Sequence, residues 1–252
     1  GEAIEEQVAG ETAVYLPALC EAEQYVAFRL SEMCRGEMVA PHGLDELIDR
    51  IQADQGIVYA PQQREAVALA ATSQVMLLTG GPGTGKTTSL RGVLALFDAL
   101  GLETALAAPT GRAAKRLGEL CGTEASTIHR LLETGFDPHS GRLVFSHGED
   151  DPLKADAVIV DETSMVDVSL MRALLAALRG DCRLILVGDT DQLPAVGPGS
   201  VLHDLIDSGV LPVVQLTEVF RQAQESHIIL NAHRIVEGTM PEIGYKDGDF
   251  FF

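Results

Sequence analysis

A glycine-rich loop between an apolar strand and an amphipathic helix constrains the fold of this chain more than any other feature. Residues 80–87 are Gly-Gly-Pro-Gly-Thr-Gly-Lys-Thr, which matches the pattern GxxxxGK[ST] in full. The predicted strand at 75–79 and the predicted helix at 85–100 supply the context that this pattern requires. A chance match is expected on the order of once per hundred chains of this length. The sequence therefore predicts a phosphate-binding loop and disfavours a glycine-rich turn without a ligand.

The residue types of this loop suit the phosphates of a nucleoside triphosphate. Glycines allow several backbone N–H groups to point at one position, and the start of the following helix adds about half a positive charge there. We expect Lys86 to bind the β- and γ-phosphates and Thr87 to bind Mg²⁺ through its hydroxyl. The implied ligands are ATP and Mg²⁺. The residues expected to surround the nucleotide are Gly81, Pro82, Gly83, Thr84, Gly85, Lys86, Thr87 and Thr88.

Short apolar runs alternate with amphipathic helices from residue 56 onward. This alternation is typical of right-handed β-α-β units, which form a parallel sheet with helices on both faces. The sequence therefore predicts an α/β fold of the phosphate-loop nucleoside triphosphatase (RecA-like) type. The predicted strands are residues 75–79, 104–108, 157–160, 183–187 and 213–216.

The remaining segments predict a chain of several parts. Residues 1–55 are expected to form a small, mostly helical region with a short β-wing, and 56–222 the ATPase. Residues 134–152 interrupt the alternation and predict an inserted hairpin or loop, and 223–252 a further domain that is cut short. Helices are predicted at 2–9, 19–33, 44–53 and 225–237, and a strand at 13–16.

The ends and the cysteines of the chain give further expectations. The chain opens without methionine and stops in an apparent strand at 250–252, which predicts that both ends are cuts. No apolar run approaches the roughly 18 residues of a membrane span, so no membrane association is expected. Cys20, Cys34, Cys121 and Cys182 have no metal-binding spacing and fit free thiols of a cytoplasmic protein.

Net charge argues against a broad electrostatic attraction to nucleic acid. The formal charge is −19 at pH 7, so any contact with nucleic acid must use local basic positions. Arg112, Lys115 and Arg116 are such positions.

Two carboxylates follow the predicted strand at 157–160. The carboxyl ends of parallel strands line the ligand crevice of such a sheet. We expect Asp161 to hold Mg²⁺, directly or through water, and Glu162 to polarise the attacking water as a general base. The alternative is a solvated Asp-Glu pair, which the phosphate loop upstream disfavours.

A glutamine and an arginine complete the predicted hydrolysis site. Gln192 follows the next strand, in Gly188-Asp189-Thr190-Asp191-Gln192, where its amide can contact the γ-phosphate or the water. Arg221 has a planar, permanently charged side chain that suits the charge of the transition state. A turn without function and a surface charge are the respective alternatives.

The ordered motifs resemble those of the RecD-type DNA helicases, in the 5′-to-3′ branch of helicase superfamily one, and the match is closest to the bacterial members outside the RecBCD complex. The resemblance covers residues 56–236 strongly and the N-terminal region more loosely. The motifs are GGPGTGKTT at 80–88, APTGRAAKRL at 108–117, STIHRLL at 126–132, VDETSM at 160–165, GDTDQLPAVGPG at 188–199 and LTEVFRQ at 216–222.

This resemblance implies roles for residues that the spacing alone does not identify. It implies that Gln63 reads the adenine and that Arg221 is an arginine finger. It also implies DNA contacts for two segments, whose residues are Pro109, Thr110, Gly111 and Arg112 in the first, and Thr127, His129 and Arg130 in the second.

The resemblance further implies an ATP-dependent helicase or translocase that moves 5′ to 3′ on single-stranded DNA and opens duplex junctions in repair or recombination. ATP would lie between two RecA-like domains, and the motifs of the second are absent from these residues. The sequence therefore predicts most of a hydrolysis site without a complete motor. Alternatives are a DNA-binding switch that does not translocate and a small-molecule kinase.

Overall fold

The computed structural model describes residues 3–8, 10–36, 38–136, 143–220, 226–244 and 248–250. Within these residues, a helix of the length and apolarity that a bilayer crossing demands is absent. The four cysteines are free thiols.

The N-terminal segment is a β-hairpin, and the helix predicted at 2–9 is wrong. Strand β1 (Ile4–Val8) pairs antiparallel with β2 (Glu11–Tyr15). Gly10 has a φ of +86° and provides the left-handed backbone that short hairpin turns favour. Gln7 donates a 2.7 Å hydrogen bond to the hydroxyl of its cross-strand neighbour Thr12. The Glu-rich run forms a strand because a partner strand follows it directly, which outweighs its local helical preference.

Three helices follow the hairpin. Proline begins α1 and α3, where its missing N–H group has no helical partner to lose. Left-handed glycines flank α2 at both ends, Gly43 and Gly56. The helices are α1 (Pro17–Arg35), α2 (Leu44–Gln55) and α3 (Pro61–Thr72).

Strands and helices then alternate, as the sequence predicts. The first elements are β3 (Val75–Gly80), α4 (Lys86–Ala99), β4 (Thr104–Ala108), α5 (Gly111–Cys121), β5 (Ala125–Thr127) and α6 (Ile128–Leu131). Next come β6 (Thr134–Phe136), β7 (Leu143–Phe145), β8 (Ala157–Val160), a 3₁₀ turn (Thr163–Met165) and α7 (Val168–Ala176). The last are β9 (Arg183–Gly188), α8 (Val201–Asp207), β10 (Val213–Leu216) and α9 (His227–Val236).

Parallel pairing joins the main strands into one sheet, which confirms the predicted fold class. In the described part of the chain, six strands lie in the order β10, β3, β9, β8, β4 and β5, and each adjacent pair is parallel. The strands β6 and β7 form a separate antiparallel hairpin within 134–152. Their connection, residues 137–142, lies outside the described residues.

Successive side chains of each strand point to opposite faces of the sheet. Helices pack on both faces, so the sheet is buried on each side. Along β8, Val158 and Val160 pack with α1 and α7, whereas Ala157 and Ile159 pack with α2, α3 and α4. Leu30 and the rest of the inner face of α1 belong to the same core as the sheet. The loops at the carboxyl edge therefore stand on a scaffold that is packed from both sides.

We expect Gly92→Ala to destabilise the fold, although alanine favours helices over glycine by about 1 kcal/mol. A Cβ at Gly92 in α4 would lie 2.6 Å from the Tyr59 hydroxyl and 2.8 Å from Val67 Cγ2. Both neighbours are buried, so overpacking costs roughly 1–3 kcal/mol and outweighs the gain in helix propensity. Urea denaturation measures the free energy of unfolding.

The control for this variant is the pair Tyr59→Phe and Tyr59→Phe/Gly92→Ala. Removal of the hydroxyl takes away the nearest atom, so the cost of Gly92→Ala should be smaller in the Tyr59→Phe background. An unfolding free energy that rises in the single Gly92→Ala variant would contradict the packing argument.

Candidate active site

The phosphate loop connects β3 to α4 and requires glycine for two separate reasons. Gly83 and Gly85 have φ values of +77° and +87°, which L side chains rarely adopt. A Cβ at Gly85 would also lie 2.3 Å from Gln63 Nε2. Because Gly85 is the N-cap of α4, the free N–H groups of the first turn of this helix open onto the loop, where they favour an anion.

Lys86 is folded against this loop. Its ammonium donates hydrogen bonds to the carbonyl oxygens of Gly80 and Gly81, the latter at 3.0 Å. Asp189 Oδ2 lies 3.9 Å from the same nitrogen. Burial lowers the pKa of Lys86, and the charge of Asp189 opposes that shift most strongly. The ammonium is therefore a poorly hydrated cation, which a phosphate oxygen would stabilise.

The acidic pair lies at the carboxyl end of β8. Asp161 Oδ1 accepts a 2.9 Å hydrogen bond from the backbone N–H of Glu162. Glu162 has a φ of +56°, an uncommon value for a residue with a side chain. This backbone turns the chain into the 3₁₀ turn and away from the strand direction. Left-handed residues of this kind concentrate at functional sites.

Burial raises the pKa of both carboxyl groups. For Asp161, the Glu162 N–H group and then the charges of Lys86 and Arg116 act in the opposite direction. For Glu162, the neighbouring Asp161 raises the pKa further, whereas Lys86 and Arg116 lower it. A carboxylate with a raised pKa is a stronger base, which suits proton abstraction near neutral pH.

One cavity of about 880 Å³ brings the phosphate loop and the acidic pair together. Its volume suits a nucleotide-sized ligand. The lining residues are 81–88, Leu90, Ala113, Arg116, Leu117, Leu120, Asp161, Glu162, Val187, Asp189, Gln192, Phe220 and Ile229. The structure thus places Lys86 and both carboxylates on the same side of the sheet.

Gln192 reaches this cavity from the loop after β9. Its Nε2 lies 3.5 Å from Asp189 Oδ2. Asp189 is only 2% exposed, and its other oxygen accepts a 3.0 Å hydrogen bond from the backbone N–H of Asp191. Asp189 therefore anchors the turn that presents Gln192, a role that the sequence pattern did not identify.

Gln63 lies behind the phosphate loop and is 3% exposed. Its Oε1 accepts a 3.0 Å hydrogen bond from Ala60 N, and its Nε2 donates to Gly85 O at 3.4 Å. The side chain therefore caps α3 and contacts the loop backbone. It is absent from the described lining of the cavity, so contact with an adenine requires rearrangement of these bonds.

The two segments with predicted DNA contacts are neighbours, at the carboxyl ends of the adjacent strands β4 and β5. Thr110 caps α5 by accepting a 3.2 Å hydrogen bond from Ala113 N. Thr127 caps α6 by accepting a 3.1 Å hydrogen bond from Arg130 N. Both hydroxyls keep a proton to donate, and each lies at a helix start, where an anion such as a DNA phosphate is favoured.

The other residues of these segments differ in exposure. Gly111, Arg112 and Arg130 are exposed, whereas Pro109 is half-buried. The ring of His129 is half-buried and lies 5.8 Å from the Phe145 ring, centroid to centroid. His129 therefore packs against the β6–β7 hairpin.

The segment after β10 also reaches the phosphate loop, through contacts of Phe220 and α9 that the sequence did not predict. The backbone N–H of Phe220 donates to Gly83 O at 3.3 Å. From α9, His233 Nε2 donates to Pro82 O at 3.3 Å, and Ile229 lines the cavity. The predicted arginine finger, Arg221, lies outside the described residues.

Comparisons with known proteins agree with this geometry. A family model described as an AAA domain matches residues 58–250. The ATP-dependent RecD2 DNA helicase of Deinococcus radiodurans is 40% identical over 244 residues, which are 97% of this chain and 33% of that protein. The RecBCD enzyme subunit RecD of Mycolicibacterium smegmatis is 42% identical over 169 residues, 58% of this chain and 30% of the subunit. The chain thus spans about a third of the length of these curated relatives.

Solved structures with a similar fold include two Pif1 helicases. One, from work on DNA unwinding at forked double-stranded DNA, aligns with a TM-score of 0.51 and 27% identity over 73% of this chain and 49% of its own. The other, from Candida albicans, aligns with a TM-score of 0.53 and 23% identity over 74% and 46% of the two chains. The second shows likeness of the fold alone.

We expect Thr110→Ala to lower the free energy of unfolding by about 1 kcal/mol, because α5 loses its N-cap. Thr110→Ser keeps the hydroxyl and should restore most of that loss. Urea denaturation of the three proteins tests this difference. Equal losses of unfolding free energy in Thr110→Ala and Thr110→Ser would show that the hydroxyl does not cap the helix.

Proposed function

Because this chain belongs to the AAA-domain family and is similar to RecD-type helicases, we propose that it is the ATP-hydrolysing part of a DNA helicase. The complete protein would move 5′ to 3′ along single-stranded DNA, open duplex junctions, and act in DNA repair or recombination. The observation that carries this proposal is the shared cavity of Lys86, Asp161, Glu162 and Gln192. The 5′-to-3′ direction of movement rests on the family resemblance alone.

The phosphate loop and the start of α4 bind the triphosphate. N–H groups of the first helical turn donate to its oxygens, and Lys86 exchanges the Gly80 and Gly81 carbonyls for phosphate oxygens. Gln63 reads the adenine after leaving the Ala60 amide. The rigid sheet behind the loop limits the rearrangement to the loop and its side chains.

The donors near the loop fit Mg²⁺. Thr87 offers a hydroxyl oxygen and Asp161 a carboxylate oxygen, and both line the cavity. Mg²⁺ prefers oxygen ligands and commonly keeps water and phosphate oxygens in its remaining positions. When bound, the metal would neutralise negative charge on the phosphates.

Hydrolysis is assigned to the side chains around the γ-phosphate position. Glu162 orients the attacking water and accepts its proton, which the raised pKa of this carboxyl favours. Gln192 contacts the γ-phosphate or the attacking water, and this contact changes when the γ-phosphate is cleaved. Arg221 stabilises the charge that develops as the phosphate departs.

Movement along DNA requires that the nucleotide state reaches the DNA contacts. Thr110, Arg112, Thr127, His129 and Arg130 hold the strand mainly through its phosphates. Their segments follow β4 and β5, and β4 pairs directly with β8, which carries the acidic pair. Closure against a second motor domain changes this grip, and one cycle advances the strand.

A binding switch without movement is the second candidate, because the cavity alone supports hydrolysis without directed motion. It predicts DNA binding that depends on nucleotide without strand separation. A small-molecule kinase is disfavoured by the Asp161-Glu162 pair and by the Gln192 turn. It predicts ATP turnover that DNA does not stimulate.

We expect the complete protein to separate duplexes that carry a 5′ single-stranded tail and to leave 3′-tailed duplexes intact. Single-stranded DNA should stimulate its ATPase activity. Lys86→Ala is the control and should abolish both activities while the circular dichroism spectrum is retained. ATP turnover with nucleotide-dependent DNA binding but no strand displacement would favour the switch.

We expect Glu162→Gln to keep ATP binding and to lower kcat by roughly 10²–10⁴, the usual contribution of a general base. The amide keeps the size of the side chain but accepts no proton. Glu119→Gln, on the exposed face of α5, is the matched control and should retain wild-type turnover. A kcat near the wild-type value in Glu162→Gln would remove this residue from the mechanism.

A further inference from the structure

Arg116 lies in the wall of the nucleotide cavity, although its sequence context groups it with basic positions for DNA. It shares one face of α5 with Ala113, Leu117 and Leu120, because residues three and four apart lie above one another on a helix. All four line the cavity. Arg112 and Lys115 belong to the neighbouring face and are not part of that lining in the described structure.

The guanidinium of Arg116 is available for a ligand. Within the described residues, no hydrogen bond or ion pair holds it. Arg116 and the adjacent Lys115 are both exposed, but Lys115 Nζ lies 3.9 Å from Glu119 Oε1. The charge of Arg116 nevertheless acts on the acidic pair, since it lowers the pKa of both carboxyls against the larger effect of burial.

The charged side chains in the described lining of the cavity favour a second cation beside Lys86. These residues are Lys86, Arg116, Asp161, Glu162 and Asp189. Acidic groups therefore outnumber basic ones before a triphosphate enters. Beside the Mg²⁺ and Arg221 assigned to hydrolysis, a second cation in the cavity wall would help Lys86 to offset three carboxylates and a polyanion. Arginine suits phosphate because its fork donates two parallel hydrogen bonds.

We propose that Arg116 binds the phosphate groups of the nucleotide from the α5 wall of the cavity. Helix α5 begins at Gly111, inside the first DNA segment, and Arg116 follows roughly 7–8 Å along the axis at 1.5 Å per residue. This inference rests on the proposed function, which supplies the nucleotide in the cavity.

The test compares Arg116→Gln with Lys115→Gln, which removes an equal charge from the next residue of the same helix. The complete protein is titrated calorimetrically with a non-hydrolysable ATP analogue and Mg²⁺. Arg116→Gln should weaken nucleotide binding roughly tenfold or more, the loss of a charge-assisted hydrogen bond. Lys115→Gln should leave nucleotide affinity within about twofold of wild type, because surface charges contribute little.

Two further measurements separate the outcomes. Arg116→Lys should recover part of the nucleotide affinity, because it keeps the charge and loses the fork. Fluorescence anisotropy with an oligothymidylate should show unchanged DNA affinity for Arg116→Gln and weaker binding for Arg112→Gln. Thermal unfolding followed by circular dichroism confirms that each variant is folded.

Two results would overturn the inference. If Arg116→Gln weakens DNA binding and leaves nucleotide affinity unchanged, Arg116 is a DNA contact. If both the nucleotide affinity and the DNA affinity of Arg116→Gln stay at the wild-type values, Arg116 is a surface charge. Failure of the proposed function looks different, because the wild-type protein would then show no DNA-stimulated ATPase, while the nucleotide titrations would still report on Arg116.

Discussion

Parallel pairing of β3, β9, β8 and β4 is the constraint on which the site depends. In such a sheet all strands end at one edge, so loops that are distant in sequence meet there. The phosphate loop, the acidic pair, the Gln192 turn and the Thr110 segment each follow one of these four strands. The sheet is packed on both faces, so its edge holds these groups in fixed relative positions.

Mutual compensation of charge is the second principle of the site. Burial disfavours the charged forms of Lys86, Asp161 and Glu162. The charge of Lys86 stabilises both carboxylates, and the two carboxylates in turn stabilise the ammonium of Lys86. Among the described residues, these three side chains form no short ion pair with one another. The nearest carboxylate oxygen to Lys86 Nζ belongs to Asp189, at 3.9 Å. The arrangement leaves electrostatic capacity for a ligand that brings both phosphate and metal charge.

Sequence predicts the parts of this protein that depend on local pattern. The strands at 104–108, 157–160 and 213–216 have the predicted bounds, and the fold class and family resemblance are confirmed. The prediction failed at β1, whose strand state comes from its partner β2. It also missed the short elements β5, α6 and α8, which are too brief for a periodic signal. Arg116 and Asp189 lie within the quoted motifs, but their approach to the site, like that of His233, depends on tertiary packing.

Helix α1 makes the N-terminal region inseparable from the sheet that carries the phosphate loop. Its inner residues, among them Leu30 and Met33, pack on the sheet face opposite the side that α3 and α4 cover. A recombinant protein trimmed to residues 56–250, close to the span of the recognised family, would therefore expose a broad apolar surface to water. Such a surface promotes self-association. The solubility and the cooperative unfolding of the trimmed protein should therefore depend on α1, which contributes no residue to the described lining of the cavity.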